Sequence, residues 1–118
     1  MKKRLHSFRY AFQGLADLFR SQPNARIHAA AAAAAVCLGF FFQISQLEWA
    51  AVALCIALVL SLEALNTAIE HLTDLVSPDY HPLAGKAKDV AAAAVLIAAM
   101  GAAVAGALIF FPKIAALL

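Results

Sequence analysis

The sequence predicts an all-α integral membrane protein, with an N-terminal amphipathic interfacial helix and three transmembrane helices in a single domain over residues 1–118. Three observations predict it. The chain is 64% apolar and only 14% charged, with a mean hydropathy of +0.83, far from the balance of a soluble domain. It contains three apolar runs, each near the ~20 residues needed to cross a hydrocarbon core. Its basic residues are also sorted: six of nine Lys and Arg (Lys2, Lys3, Arg4, Arg9, Arg20, Arg26) precede the first run, and Lys86 and Lys88 lie between the second and third.

That sorting fixes an expected orientation. The connection between the first two runs, near Gln43 to Glu48, has no basic residue. Positive residues remain on the cytoplasmic side, so the N-terminus and second connection are expected there and the C-terminus outside. Lys113 is the one dissenter. The expected location is a bacterial inner (cytoplasmic) membrane. Nucleic-acid binding is a poor reading of the basic N-terminus, because no soluble domain follows it. A cleaved signal is equally poor, since the basic stretch is long and broken by aromatic residues. Cys37 and Cys55 lie in apolar runs without metal-ligand spacing and read as small buried residues.

In residues 5–20, Leu5, Phe8, Phe12, Leu15 and Phe19 recur at helical spacing among Arg9, Gln13, Asp17 and Arg20, the pattern of a helix in the membrane interface. Pro23 breaks that helix and opens the next. The first span, about 27–45, contains seven consecutive alanines, Ala29 to Ala35, a smooth surface for close helix approach. The second, about 48–76, begins at Glu48-Trp49, runs uncharged to Leu62, then carries Glu63, Asn66, Thr67, Glu70, His71, Thr73 and Asp74 before Ser77-Pro78. A polar connection follows over 77–88, and a third span, about 88–111, is expected to stop at Pro112-Lys113.

The acids in the second span carry the chemistry. At 100° per residue, Glu63, Glu70 and Asp74 fall within about 40° of one another, a stripe about 16 Å long, with Asn66 roughly 60° to one side. An ionised carboxylate within a bilayer costs at least ~2.5–3.5 kcal/mol, so three on one face require a cation, a proton or basic partners. A structural polar seam satisfied by Lys88 or Arg26 is the bland alternative. Depth favours Glu63 as a general base and Glu70 as a ligand to a hard divalent cation. Lys86, Lys88 and Asp89 open the third span, where they serve either as positive-inside anchors or as the phosphate side of a Mg-nucleotide site. No GxxxxGK[ST] or GxGxxG motif is present, so a nucleotide site here is not of a common soluble type.

The run Glu63-Ala-Leu-Asn66-Thr-Ala-Ile-Glu70-His-Leu-Thr-Asp74, with Tyr80-His81-Pro-Leu and Ala87-Lys88-Asp89, resembles the signature of the prokaryotic diacylglycerol kinases. NARIH, LEW, SLEALNTAIEH, HPLA and IFFPK resemble that family's undecaprenol kinase branch more closely. The resemblance implies a homotrimer with sites shared between subunits, transferring the ATP γ-phosphate to a lipid alcohol with Mg²⁺. It implies Glu63 as base, Asn66 as orienting group, Glu70 as metal holder and Asp74 as support. Tyr10, Gln22, Glu70, Asp79, Tyr80, His81, Lys88 and Asp89 would contact ATP. Gln22 stands where the family has a second metal-binding glutamate, leaving a neutral amide oxygen for the ion. Undecaprenol is the expected acceptor and diacylglycerol the alternative. A small proton-coupled transporter explains Glu63 but leaves Glu70, Asp74, Lys88 and Asp89 without roles. His28 and His71 are expected to be interfacial polar residues rather than ligands.

Overall fold

The computed structural model describes residues 1–118 as four helices: α1 (Lys2–Ser21), α2 (Pro23–Phe42), α3 (Gln46–Val76) and α4 (Pro82–Leu117). The last three are each long and apolar enough to cross a membrane. At 1.5 Å per residue, α2 is about 30 Å long and α3 about 46 Å, so α3 outruns a hydrocarbon core at one end. Its surplus is the polar stretch that carries the acids.

The corner between α1 and α2 rests on Gln22, whose backbone is extended and accepts from the Arg26 N–H. Pro23 occupies the first turn of α2, where its missing N–H has no helical partner to lose. Leu18 and Ala25 are buried on the two sides of this corner.

At the other end of α2 the chain reverses within three residues. Gln43 takes the left-handed conformation (φ 52°), and the Ile44 N–H reaches back to the Gly39 carbonyl at 3.1 Å. Ser45 then caps α3 reciprocally with Glu48: the Glu48 N–H donates to Ser45 Oγ, and the Ser45 N–H donates to Glu48 Oε1, each at 3.1 Å. Gly39 is required by packing. A Cβ there would lie 2.6 Å from Trp49 Cη2, so the indole rests directly on the α2 backbone. Ile44, Val52, Ile109 and Phe110 form the apolar core of this end, with Trp49 and Phe42 against it.

The most extensive interface joins α3 to α4. Ala91, Val95 and Ala98, spaced four and three apart, are the buried residues along the first half of α4. A Lys–carboxylate pair joins these helices towards each end: Lys113 with Glu48 at 2.6 Å, and Lys88 with Asp74 at 2.5 Å.

Two boundaries correct the sequence expectation. The helix does not stop at Pro112; it continues to Leu117. Proline removes only the bond to the Leu108 carbonyl, and the adjoining turn is held by burial of Ile109 and Phe110. Lys113 Nζ also donates to the Ile109 carbonyl at 3.0 Å. Likewise α4 begins at Pro82 rather than near 88. His81 supplies the cap, its Nδ1 accepting from the Leu83 N–H at 3.1 Å, and Pro82 fits the first helical position.

A candidate site at the acidic end of the bundle

Along α3 the three acids differ sharply in exposure. Glu63 is 3% exposed, Glu70 is half-buried and Asp74 is exposed. The gradient follows from neighbours: Glu63 lies where α2 still packs on α3, whereas Asp74 is near the end of α3, beyond that cover.

Glu63 is one of only two buried polar side chains, and the other is Thr67, one turn further on. Thr67 Oγ1 donates to the Glu63 backbone carbonyl at 2.9 Å, so its hydroxyl is spent on the helix and does not serve the carboxylate. The partner of the carboxylate comes from α2: His28 Nε2 lies 3.4 Å from Glu63 Oε1. This neighbour was not expected. Its signal is nonetheless in the sequence, because the sharp turn at Gln43–Ser45 makes α2 and α3 an antiparallel hairpin. Counting 14 residues back from Phe42 and 17 forward from Gln46 brings His28 and Glu63 to similar depth.

Asn66 is the second feature of the site. Its Nδ2 donates to Glu70 Oε1 at 3.3 Å, joining two of the sequence-identified residues. Its Oδ1 is buried and has no hydrogen-bond partner, the only such side-chain atom in the structure. A buried amide oxygen without a donor costs roughly 1–3 kcal/mol, which marks a place where a donor from outside the chain would be accommodated.

The remaining residues do not converge on Glu63 and Asn66. Asp74 and Lys88 are paired, which commits Lys88 to a carboxylate in this state. Asp89, Asp79, Tyr80 and His81 are exposed; the Asp79 carbonyl accepts from Ser77 Oγ, and His81 is engaged as the α4 cap. Tyr10 is exposed on α1, with its ring 6.5 Å from that of His6. Gln22 is half-buried at the α1–α2 corner, with no hydrogen bond from its side chain to Glu70. No three His, Cys, Asp or Glu side chains converge to form a metal-sized cluster. His71 faces Asp17 of α1 at 3.9 Å, both well exposed.

Beside this site a groove of about 240 Å³ lies among α2, α3 and α4. Ala31, Ala32 and Ala35 form one wall, and Ala102, Ala103 and Gly106 another. His28 is its one strongly polar side chain.

These features define a helical membrane protein with a buried carboxylate and an unpaired amide acceptor at one end of the bundle, and an apolar groove that runs from His28 beside them to Ile109 and Phe110 at the other. The family model described as "Prokaryotic diacylglycerol kinase" matches residues 9–110. The chain belongs to that family. It is 45% identical over 108 residues to the "Undecaprenol kinase" of Bacillus subtilis (strain 168), covering 92% of this chain and 88% of that one. It is 41% identical over 115 residues to the "Diacylglycerol kinase" of Synechocystis sp., covering 97% of this chain and 66% of the relative. The "Diacylglycerol kinase" of Escherichia coli (strain K12) is 33% identical over 89 residues, with 75% and 73% covered.

Proposed function

We infer that the protein is an ATP-dependent lipid kinase that transfers the γ-phosphoryl group of ATP to the hydroxyl of a membrane lipid alcohol, with undecaprenol the preferred acceptor. The observation that carries this reading is the buried Glu63 carboxylate one helical turn from the partnerless Asn66 Oδ1. The carboxylate offers an acceptor for the one proton of an incoming hydroxyl, and the amide oxygen is open to a second donor from outside the chain. Family membership and the 45% identity to an undecaprenol kinase support the reaction and the choice of acceptor.

In this mechanism Glu63 takes the single hydroxyl proton, while the Asn66 amide, which donates to Glu70, helps to orient the hydroxyl or the γ-phosphate. The lipid oxygen forms a bond to the γ-phosphorus, the bond from that phosphorus to the β–γ bridging oxygen breaks, and ADP leaves. Glu63 then returns its proton to water. Lys88 would leave Asp74 for the phosphates, and Asp74 would support Glu70. Tyr10, Asp79, Tyr80, His81 and Asp89 would contact the nucleotide.

Glu70 would hold Mg²⁺, with Gln22 as a neutral second donor. A half-buried carboxylate is a hard oxygen donor of the kind such an ion takes. When bound, the ion offsets the phosphate charge. Gln22→Glu is expected to lower the Mg²⁺ concentration for half-maximal activity; an unchanged activation curve would contradict the role of Gln22.

The functional unit in this reading is a homotrimer with sites shared between subunits, in a bacterial cytoplasmic membrane. The acidic end and N-terminus face the cytoplasm, the C-terminus faces outward, and α1 lies in the interface with Phe8, Phe12 and Leu15, all exposed here, in lipid. The decisive assay supplies the purified chain in detergent with Mg-ATP and either undecaprenol or diacylglycerol. Undecaprenyl phosphate is the expected main product. Phosphatidic acid as the main product would reverse the acceptor, and no phosphorylated lipid from either would end the kinase reading.

A further inference from the structure

We propose that His28 is a positioning residue for Glu63 and the polar terminus of the lipid groove, so that it couples the seating of the lipid chain to the reacting carboxylate. This inference rests on the kinase reading above. It starts from which groups reach Glu63. The carboxylate is buried, and no basic side chain other than His28 lies within ion-pairing distance. Thr67 is bonded to the backbone, Lys88 is bonded to Asp74, and Asn66 directs its amide donor to Glu70 rather than Glu63. The rotamer of Glu63 is therefore governed from another helix, by a single imidazole.

The second observation is independent of the first. His28 lines the alanine groove, but Glu63 does not. A lipid chain lying along Ala31, Ala35 and Ala102 meets His28 before it meets any acid. The separation of 3.4 Å between His28 Nε2 and Glu63 Oε1 is longer than a charge-assisted hydrogen bond of ~2.7–2.9 Å. That spacing lets the imidazole hold the carboxylate loosely and remain in touch with the groove; its side chain is 24% exposed against 4% for Glu63. An arriving hydroxyl is thus steered past His28 to Glu63, the acceptor of its one proton.

The test compares His28→Leu with His28→Gln in the full chain, measuring kcat and the KM values for ATP and undecaprenol. Gln places an amide N–H near the position of Nε2, whereas Leu retains only volume. Leu is expected to lower kcat by about 10–100-fold, the cost typical of outer-shell partners, and to raise the lipid KM while the ATP KM stays at its original value. Gln is expected to recover most of the loss. Wild-type kcat in His28→Leu would overturn the proposal, as would equal losses in both variants together with a raised ATP KM, since that is a folding defect. A second measurement needs no active variant: the ¹⁵N resonances of the His28 ring should shift in Glu63→Gln, and unmoved resonances would also overturn it. If the unsubstituted chain phosphorylates no lipid alcohol, the kinase reading falls and takes this role with it, even where the ring resonances shift.

Discussion

The two ends of the α3–α4 interface carry the same chemical device in different settings. Near the Gln43 turn, Lys113 pairs with Glu48, and both side chains are less than a third exposed. Each has other bonds: Glu48 accepts from the Ser45 N–H, and Lys113 donates to the Ile109 carbonyl. At the acidic end, Lys88 pairs with Asp74, whose side chain is 63% exposed, and neither makes another hydrogen bond through its side chain. The first pair is a clasp held on several sides over an apolar core. The second is a surface contact, and surface pairs contribute roughly 0–1 kcal/mol. A cation so lightly held is free to exchange its carboxylate for a phosphate. One end of the molecule is built to stay put, and the other retains polar groups that its own fold leaves unfilled.

That contrast can be broken by substitution. The largest effect on folding is expected from Gly39→Ala, whose added Cβ meets the Trp49 ring at 2.6 Å. Overpacking of this kind costs about 1–3 kcal/mol and should be visible as a lower midpoint in thermal unfolding, with kcat per folded molecule retained. Lys113→Met should also lower the thermal midpoint, because it takes from Glu48 its basic partner on α4 while Ser45 remains bound. Lys88→Met should change stability by less than about 1 kcal/mol and instead raise the ATP KM, the reverse of the Lys113 result. Loss of stability without a change in ATP KM would make the two pairs equivalent and remove the distinction. The smallest effect is expected from Gln43→Gly. It relieves a left-handed residue and should stabilise the turn by up to about 1 kcal/mol without altering turnover.

Much of this arrangement is legible in the sequence, and the exceptions have physical causes. The three apolar helices follow from run length, and the shared face of Glu63, Glu70 and Asp74 from helical period alone. The site residues expected from the family resemblance rest on its motifs alone, and the fold adds that Lys88 is held by Asp74 and that His81 caps α4. Local rules gave the wrong end for α4, because Pro112 costs a single bond where Ile109 and Phe110 bury the same turn. The place of His28 beside Glu63 is hidden for a different reason. A lone histidine near the start of an apolar helix has no local meaning until the hairpin register brings it opposite Glu63. The unpartnered Asn66 Oδ1 was beyond reach altogether, since a missing partner is a property of packing and not of any residue pattern.

The claim that function sits at one end and stability at the other is tested most directly by comparing two carboxylates of α3, Glu63→Gln and Glu48→Gln, in the same lipid phosphorylation assay. Glu63→Gln is expected to lower turnover by at least about 100-fold while nucleotide binding and the thermal midpoint are retained. Glu48→Gln is expected to lower the midpoint and leave turnover per folded molecule intact. Substantial lipid phosphorylation by the Glu63→Gln protein would contradict the account.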